Sequence, residues 1–368
     1  MVLGFIISLI FLILAFDGLD WTTFFQSLAD VNIFLLPIAL VIVLLGYRLQ
    51  AWRERVILSP FADVPLKGLY DIQLIGAMGN NIYPFSGGEA LRIYLLRNRY
   101  NVPIPTATTN MIIVRLVDGL TVLALILLSV VLEDIPAQQF VDITFFAAPI
   151  FLIVVAMFIT ITIRPEIIAK VGQFLRHVLP KTTHAPIIHI EGKLLESLNI
   201  FRDPQILFGV IGLTILTRMV EALAYWVVLI AFGLSSSYWV ALLLVGVVSL
   251  GGIISASPGQ IGVTHFAITL TLTTLGIAHD PALAYAIVVH MVIFMAVTIT
   301  GGLLLLQNGL SFKHFKSAQI TQKVVNKAQI KSIAKRHHLN RASRNKSTRH
   351  YYVPKVRPDS AEQQDILL

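Results

Sequence analysis

Cysteine is absent from the 368 residues, which excludes disulfides, thiolate nucleophiles and cysteine-based metal sites. Charge is scarce: 13% of residues are Asp, Glu, Lys or Arg, against about 25% in soluble domains. Catalytic signatures are missing as well. There is no HExxH, P-loop, GxSxG or dinucleotide fingerprint, so neither a cofactor nor a metal is expected. What the chain has in abundance is hydrocarbon. It is 56% hydrophobic with a mean hydropathy of +0.79. Such a chain cannot cover itself with polar surface in water and must take lipid as its solvent. It is expected to be a multi-pass protein of the cell (cytoplasmic) membrane.

The charge that is present is unevenly placed. Of 28 basic and 20 acidic residues, Ser311 to Leu368 holds 13 and 3, leaving 15 and 17 for the rest. The chain therefore divides into a membrane domain, 1–310, and a basic cytoplasmic tail, 311–368, either disordered or lying on the membrane surface. The tail emerges at a membrane face, so its expected partner is anionic lipid and not nucleic acid.

Apolar runs of helical length recur at about 2–19, 32–47, 104–132, 142–163, 206–232, 238–255, 262–278 and 282–306. They are continuous, not alternating, which excludes a barrel, and backbone groups in lipid then require helices. The fold class is all-α, with about eight spans. The run from Val2 to Phe16 lacks a basic leading region and is read as a first membrane helix. Lys and Arg mark the cytoplasmic side. Arg48, Arg53, Arg55 and Lys67, then Arg92, Arg97 and Arg99, then the basic connection 164–204, all fall there. The connections 20–31, 133–141, 233–237 and 279–281 carry no Lys or Arg and face outside. Both termini are then cytoplasmic.

Residues 68–91 are apolar yet lie between two basic stretches, so a full crossing there would invert every later connection. A re-entrant segment resolves this, with Asn80, Asn81, Pro84, Gly87 and Gly88 as its break. A second interruption, also a candidate re-entrant segment, runs over 249–263. The two share a P-x-x-x-G frame, Pro84/Gly88 and Pro258/Gly262. Paired broken segments point to a transporter built from repeats; chance is the alternative, since Gly and Pro are common in membrane helices.

Ionisable side chains inside a membrane cost roughly 2.5–3.5 kcal/mol each, which makes them functional candidates. Three acid–base pairs are spaced i,i+3: Glu89/Arg92, Arg115/Asp118 and Arg218/Glu221. Arg115 is expected about 16 Å into its span at 1.5 Å per residue. One reading is a polar cavity whose guanidinium forks grip an anionic head group, the acids keeping the empty cavity near neutral. The other is ion pairs that simply tie helices together. His265 and His290 offer either a proton relay or a hydrogen bond between helices.

The run Asn80-Asn81-Ile82-Tyr83-Pro84-Phe85-Ser86-Gly87-Gly88-Glu89-Ala90-Leu91-Arg92 resembles the N-x-x-P-x-x-x-G-E-x-x-R signature of the lysylphosphatidylglycerol synthase transmembrane-region family, also called flippase-like. Val114-Arg115-Leu116-Val117-Asp118 resembles its E-R-x-x-D motif, with Val114 at the acid. Pro258-Gly259-Gln260-Ile261-Gly262-Val263-Thr264-His265 resembles its P-G-G-I-G-x-x-E motif, with His265 at the Glu. The resemblance implies a membrane domain that moves lipids or lipid-linked head groups between leaflets. It also implies that the synthases' aminoacyl-transferase activity is not expected here. Three functions stay open: a lipid translocator, an embedded enzyme or enzyme subunit acting on polyprenyl-phosphate or phospholipid, and a scaffold. The candidate substrate-binding set is Asn80, Asn81, Pro84, Gly88, Glu89, Arg92, Arg115, Asp118, Arg218, Glu221, Pro258, Gly259, Gly262 and His265. Membrane lipids are the expected partners.

Overall fold

The structure is a computed structural model. It describes residues 2–83, 87–132, 166–178, 203–234, 236–254 and 258–309, with single positions at 160, 188 and 192. Pro84, all of the run at 142–163 except residue 160, and the tail from 310 onward lie outside these residues.

Every regular element among the described residues is helical. In chain order they are α1 (Val2–Phe16), α2 (Trp21–Ala29), α3 (Leu36–Leu58), α4 (Leu66–Ile82), α5 (Gly87–Tyr100), α6 (Ile104–Leu132), α7 (Glu166–Val178), α8 (Pro204–Ala231), α9 (Tyr238–Ile254), α10 (Val263–Thr274) and α11 (His279–Gln307). Side-chain caps mark several starts. Asp20 accepts from Thr22 N–H at α2, and Asp203 accepts from Gln205 N–H ahead of Pro204 at α8.

Among the described residues four helical stretches are long and apolar enough to cross a bilayer: Ile33–Leu58, Thr106–Leu132, Pro204–Ala231 and His279–Gln307. The expectation of about eight spans is therefore met only in part. Two departures have clear physical causes. The first run ends in a 91° bend between Ser8–Phe16 and Trp21–Ala29, where Gly18 takes φ 73° and Asp20 caps the new helix. The runs at 238–255 and 262–278 become helices of 17 and 12 residues. Twelve residues rise only about 18 Å, short of the roughly 30 Å hydrocarbon layer. A third departure lengthens a helix: α3 does not stop near residue 47 but runs on through Arg48, Arg53 and Arg55 to Leu58.

Between α4 and α5 the chain reverses direction. Helices α4 and α5 form an antiparallel hairpin with glycines on the seam. A Cβ on Gly68 would collide with the Tyr100 ring, one on Gly76 with the Arg92 stem, and one on Gly88 with the Gly76 carbonyl. Helices α9 and α10 form a second hairpin, with Gly251 against Val263 at its turn.

Both hairpins lean on α11, and they point at each other. The open end of the first lies at the C-terminal end of α11, where Arg99 donates to Asn308 Oδ1 at 2.9 Å. The open end of the second lies at the N-terminal end, where Val240, Ala241 and Leu272 share a core with Ala282 and Tyr285. The two tips meet beside the middle of α11. There Asn81 Nδ2 donates to Thr298 Oγ1 at 2.9 Å, and Gly259 packs against Phe294 with the Asn81 carbonyl close by. Among the described residues, helices α3 and α8 share the most extensive helix–helix packing. On the outside, α7 exposes Val171, Phe174 and Leu175 beside Lys170, Arg176 and His177, the pattern of a helix lying in a membrane interface.

Candidate functional site

The polar interior is built on α3, and its centre is Glu54. This carboxylate is 1% exposed. It accepts from Gln73 Nε2 of α4 at 2.6 Å, Arg92 Nη2 of α5 at 3.0 Å and Asn110 Nδ2 of α6 at 2.9 Å. One side chain thus ties four helices. A buried carboxylate is tolerable only when its oxygens are filled in this way.

One residue earlier, Arg53 faces the neighbouring cluster and is 3% exposed. It holds Asp118 of α6 with both Nη atoms and donates to Thr214 Oγ1 of α8 at 3.2 Å. Arg218 of α8 approaches the same carboxylate at 3.5 Å, holds Glu221 at 2.7 Å, and reaches Ser249 Oγ of α9 at 3.4 Å. The third ion pair joins Arg115 of α6 to Glu89 of α5, with exposures of 65% and 26%.

The i,i+3 partners expected from sequence are thus exchanged in two of three cases. Arg92 pairs with Glu54 and not with Glu89. Arg115 pairs with Glu89 and not with Asp118. Asp118 is held by Arg53 and Arg218. Only Arg218/Glu221 pairs within its own helix. The reason is geometric: i,i+3 places two groups on one face, and on a packed face the partner across the interface can be nearer than the one along the helix. Four guanidinium groups meet four carboxylates, so the network balances formally. It also grades in exposure, from sealed Arg53 and Glu54 to open Arg115. The Nε–H groups of Arg53, Arg92 and Arg218 are buried without an acceptor.

The residues of the two breaks gather at the hairpin tips. Asn80 Oδ1 accepts from Gly88 N–H at 2.9 Å, closing the start of α5. Gly262, at the start of α10, takes φ 91° with the Ser8 carbonyl of α1 where a Cβ would stand. Gly88 and Gly262 thus play one role in the two hairpins: each lets another backbone approach the start of the returning leg. Gln260, at the second glycine of the motif, also adopts left-handed backbone at φ 57°. His265 occupies the third position of α10, and its Nδ1 accepts from the Gly262 N–H at 3.4 Å. With glycine as the cap residue the contact runs one way, from the Gly262 amide to the imidazole at the third helical position.

Over residues 1–301 the chain matches the family described as Lysylphosphatidylglycerol synthase TM region. The chain belongs to that family. A curated relative, "Glycosyltransferase AglD" of Haloferax volcanii, is 25% identical over 338 residues, covering 82% of this chain and 53% of that protein. The chain thus spans about half the length of the curated relative it matches. No solved structure matches it.

Sequence reasoning missed Arg53, Glu54, Gln73 and Asn110. The first two sat in a stretch read as a basic cytoplasmic connection. The available signal was a single acid, Glu54, flanked by Arg53 and Arg55 at the end of an apolar run, where a cytoplasmic connection needs no acid at all.

Proposed function

We propose that the chain binds a lipid with an anionic head group and carries it between leaflets. One observation carries this reading: a balanced network of four guanidinium groups and four carboxylates, open at Arg115–Glu89 and sealed at Arg53–Glu54, inside an otherwise apolar bundle. A phosphate entering at Arg115 takes the place of the Glu89 carboxylate. The freed acid leaves the cation matched, so the site exchanges one anion for another without a bare charge. Arg218 and Arg92, each with spare donors, offer the next contacts inward. The acyl chains stay in lipid.

The two opposed hairpins support transport over simple binding. Helices too short to cross, entering from opposite faces and meeting at the middle of a long helix, are the inverted arrangement in which a site becomes reachable from either side. In this reading 68–91 and 249–263 are both re-entrant, both termini are cytoplasmic, and the basic tail rests on anionic lipid.

The test is leaflet exchange of a labelled anionic phospholipid in liposomes. Arg115→Ala and Arg218→Ala should each slow exchange at least tenfold. Full activity in both variants removes the site. A second reading is favoured by the relative named as a glycosyltransferase: the chain is then a membrane-embedded enzyme or enzyme subunit acting on polyprenyl-phosphate or phospholipid. Mass analysis of the lipids separates the two, because translocation leaves the lipid mass unchanged.

A further inference from the structure

The two histidines at the hairpin tips form a directed chain that the head-group site does not use. His290 Nε2 lies 2.9 Å from the Gly259 carbonyl, which can only accept, so His290 carries its proton on Nε2. Its Nδ1 then accepts, and His265 Nε2, 2.9 Å away, donates to it. That leaves His265 Nδ1 as acceptor for the Gly262 N–H at 3.4 Å. The order runs amide, His265, His290, carbonyl. It links the start of α10, the middle of α11 and the 258–260 turn of the second hairpin.

In this chain both imidazole lone pairs are taken. A further proton from water cannot be added without setting two donors face to face. On His290 Nδ1 it opposes the His265 Nε2–H. If His265 switches tautomer to accept from His290, its new Nδ1–H opposes the Gly262 N–H. Gly262 cannot retreat, because its left-handed backbone is wedged against the Ser8 carbonyl.

No other charged group bears on either ring among the described residues. His265 faces His290 and the Gly262 N–H, and His290 faces His265, the Gly259 carbonyl and the Phe294 ring. The packed elements supply Ser8 from α1 and Asn81 from α4, neither of which titrates. Gln260 and Ile261, beside the pair, are exposed.

We propose that His265 and His290 form a proton-binding site whose occupation parts the second hairpin tip from α11 and from the first hairpin. The inference goes beyond head-group binding and stands without it. A translocator built this way draws its direction from a proton gradient.

The absence of cysteine makes the test clean. Spin labels on Ile82→Cys and Ile261→Cys, both exposed positions, report tip separation by pulsed electron resonance in nanodiscs of neutral lipid. At pH 8 one short distance is expected, and at pH 4 a second, longer one of comparable population. His265→Gln/His290→Gln should keep the pH 8 distance at both pH values, since amides can hydrogen bond but do not charge. His290→Gln alone should abolish at least most of the longer population. An unchanged distance in the parent chain, or a pH response that survives the double substitution, overturns the proposal. No lipid movement is measured, so failure here is separate from failure of the transport reading.

Discussion

Arg218 and Asp118 approach to 3.5 Å across the α6–α8 interface, and the same carboxylate is already clasped by Arg53. One acid thus serves two cations, and its loss is felt by both. Asp118→Asn strands Arg53, which is almost fully enclosed, at a cost of about 3 kcal/mol or more. The melting midpoint in detergent should fall clearly further than for Glu221→Gln, whose partner Arg218 keeps Asp118. Equal shifts in the two variants would show that the shared carboxylate is not the keystone.

Glu54 invites a double-mutant cycle. Glu54→Gln places an amide donor against Gln73, Arg92 and Asn110, all of which donate to it now. It should cost about 3–5 kcal/mol, the range for breaking a buried pair by removing one partner. Arg92→Met alone strands the Glu54 carboxylate, whereas Glu54→Gln combined with Arg92→Met removes both charges and should recover more than half of that loss. Thermal unfolding of the four proteins gives the coupling directly, and simple additivity would refute it.

Arg115 behaves differently because it is open. Arg115→Ala should change stability by less than about 1 kcal/mol, the usual worth of an exposed ion pair. Leaflet exchange should nonetheless drop at least tenfold. A variant that loses stability and activity together would argue for helix gluing instead.

Glycine substitutions separate close approach from mere small size. Gly88→Ala drives a methyl into the Gly76 carbonyl and within 2.7 Å of Asn80 N, both backbone atoms. That should cost roughly 1–3 kcal/mol or more and spread the first hairpin. Gly119→Ala on α6 meets nothing within 4 Å and should raise the midpoint slightly through helix propensity. Size-exclusion profiles and melting curves of the two variants are the check.

The sequence made the helices of the membrane domain legible, and with them the breaks and most of the charged positions. Continuous apolar runs, helix breakers and Lys/Arg placement each have a local physical cause. What was not legible depends on partners far along the chain. The reach of α3 past Arg48 was hidden because hydropathy treats every charge as exposed, whereas Arg53 is compensated by Asp118, 65 residues on. The true partners of Glu89 and Arg92 were hidden for the same reason. The shortness of α10 was hidden because an apolar run of seventeen residues can end in a turn, here at Leu275–Gly276. The meeting of Asn81 with Thr298 and Gly259 was foreshadowed only by the shared P-x-x-x-G frame.

The exchanged ion pairs bear on how the protein is made. While α6 or α8 stands alone in the bilayer, the carboxylate three residues from its arginine is the only counter-ion available, and each segment enters with no net charge. Once neighbours arrive, Arg115 passes to Glu89 and Asp118 to Arg53. The i,i+3 spacing thus suits a lone segment entering the bilayer, while the finished bundle uses other partners for Arg115 and Asp118. Removing Asp118 from an isolated α6 segment should therefore impair its insertion, and removing Arg115 as well should restore it.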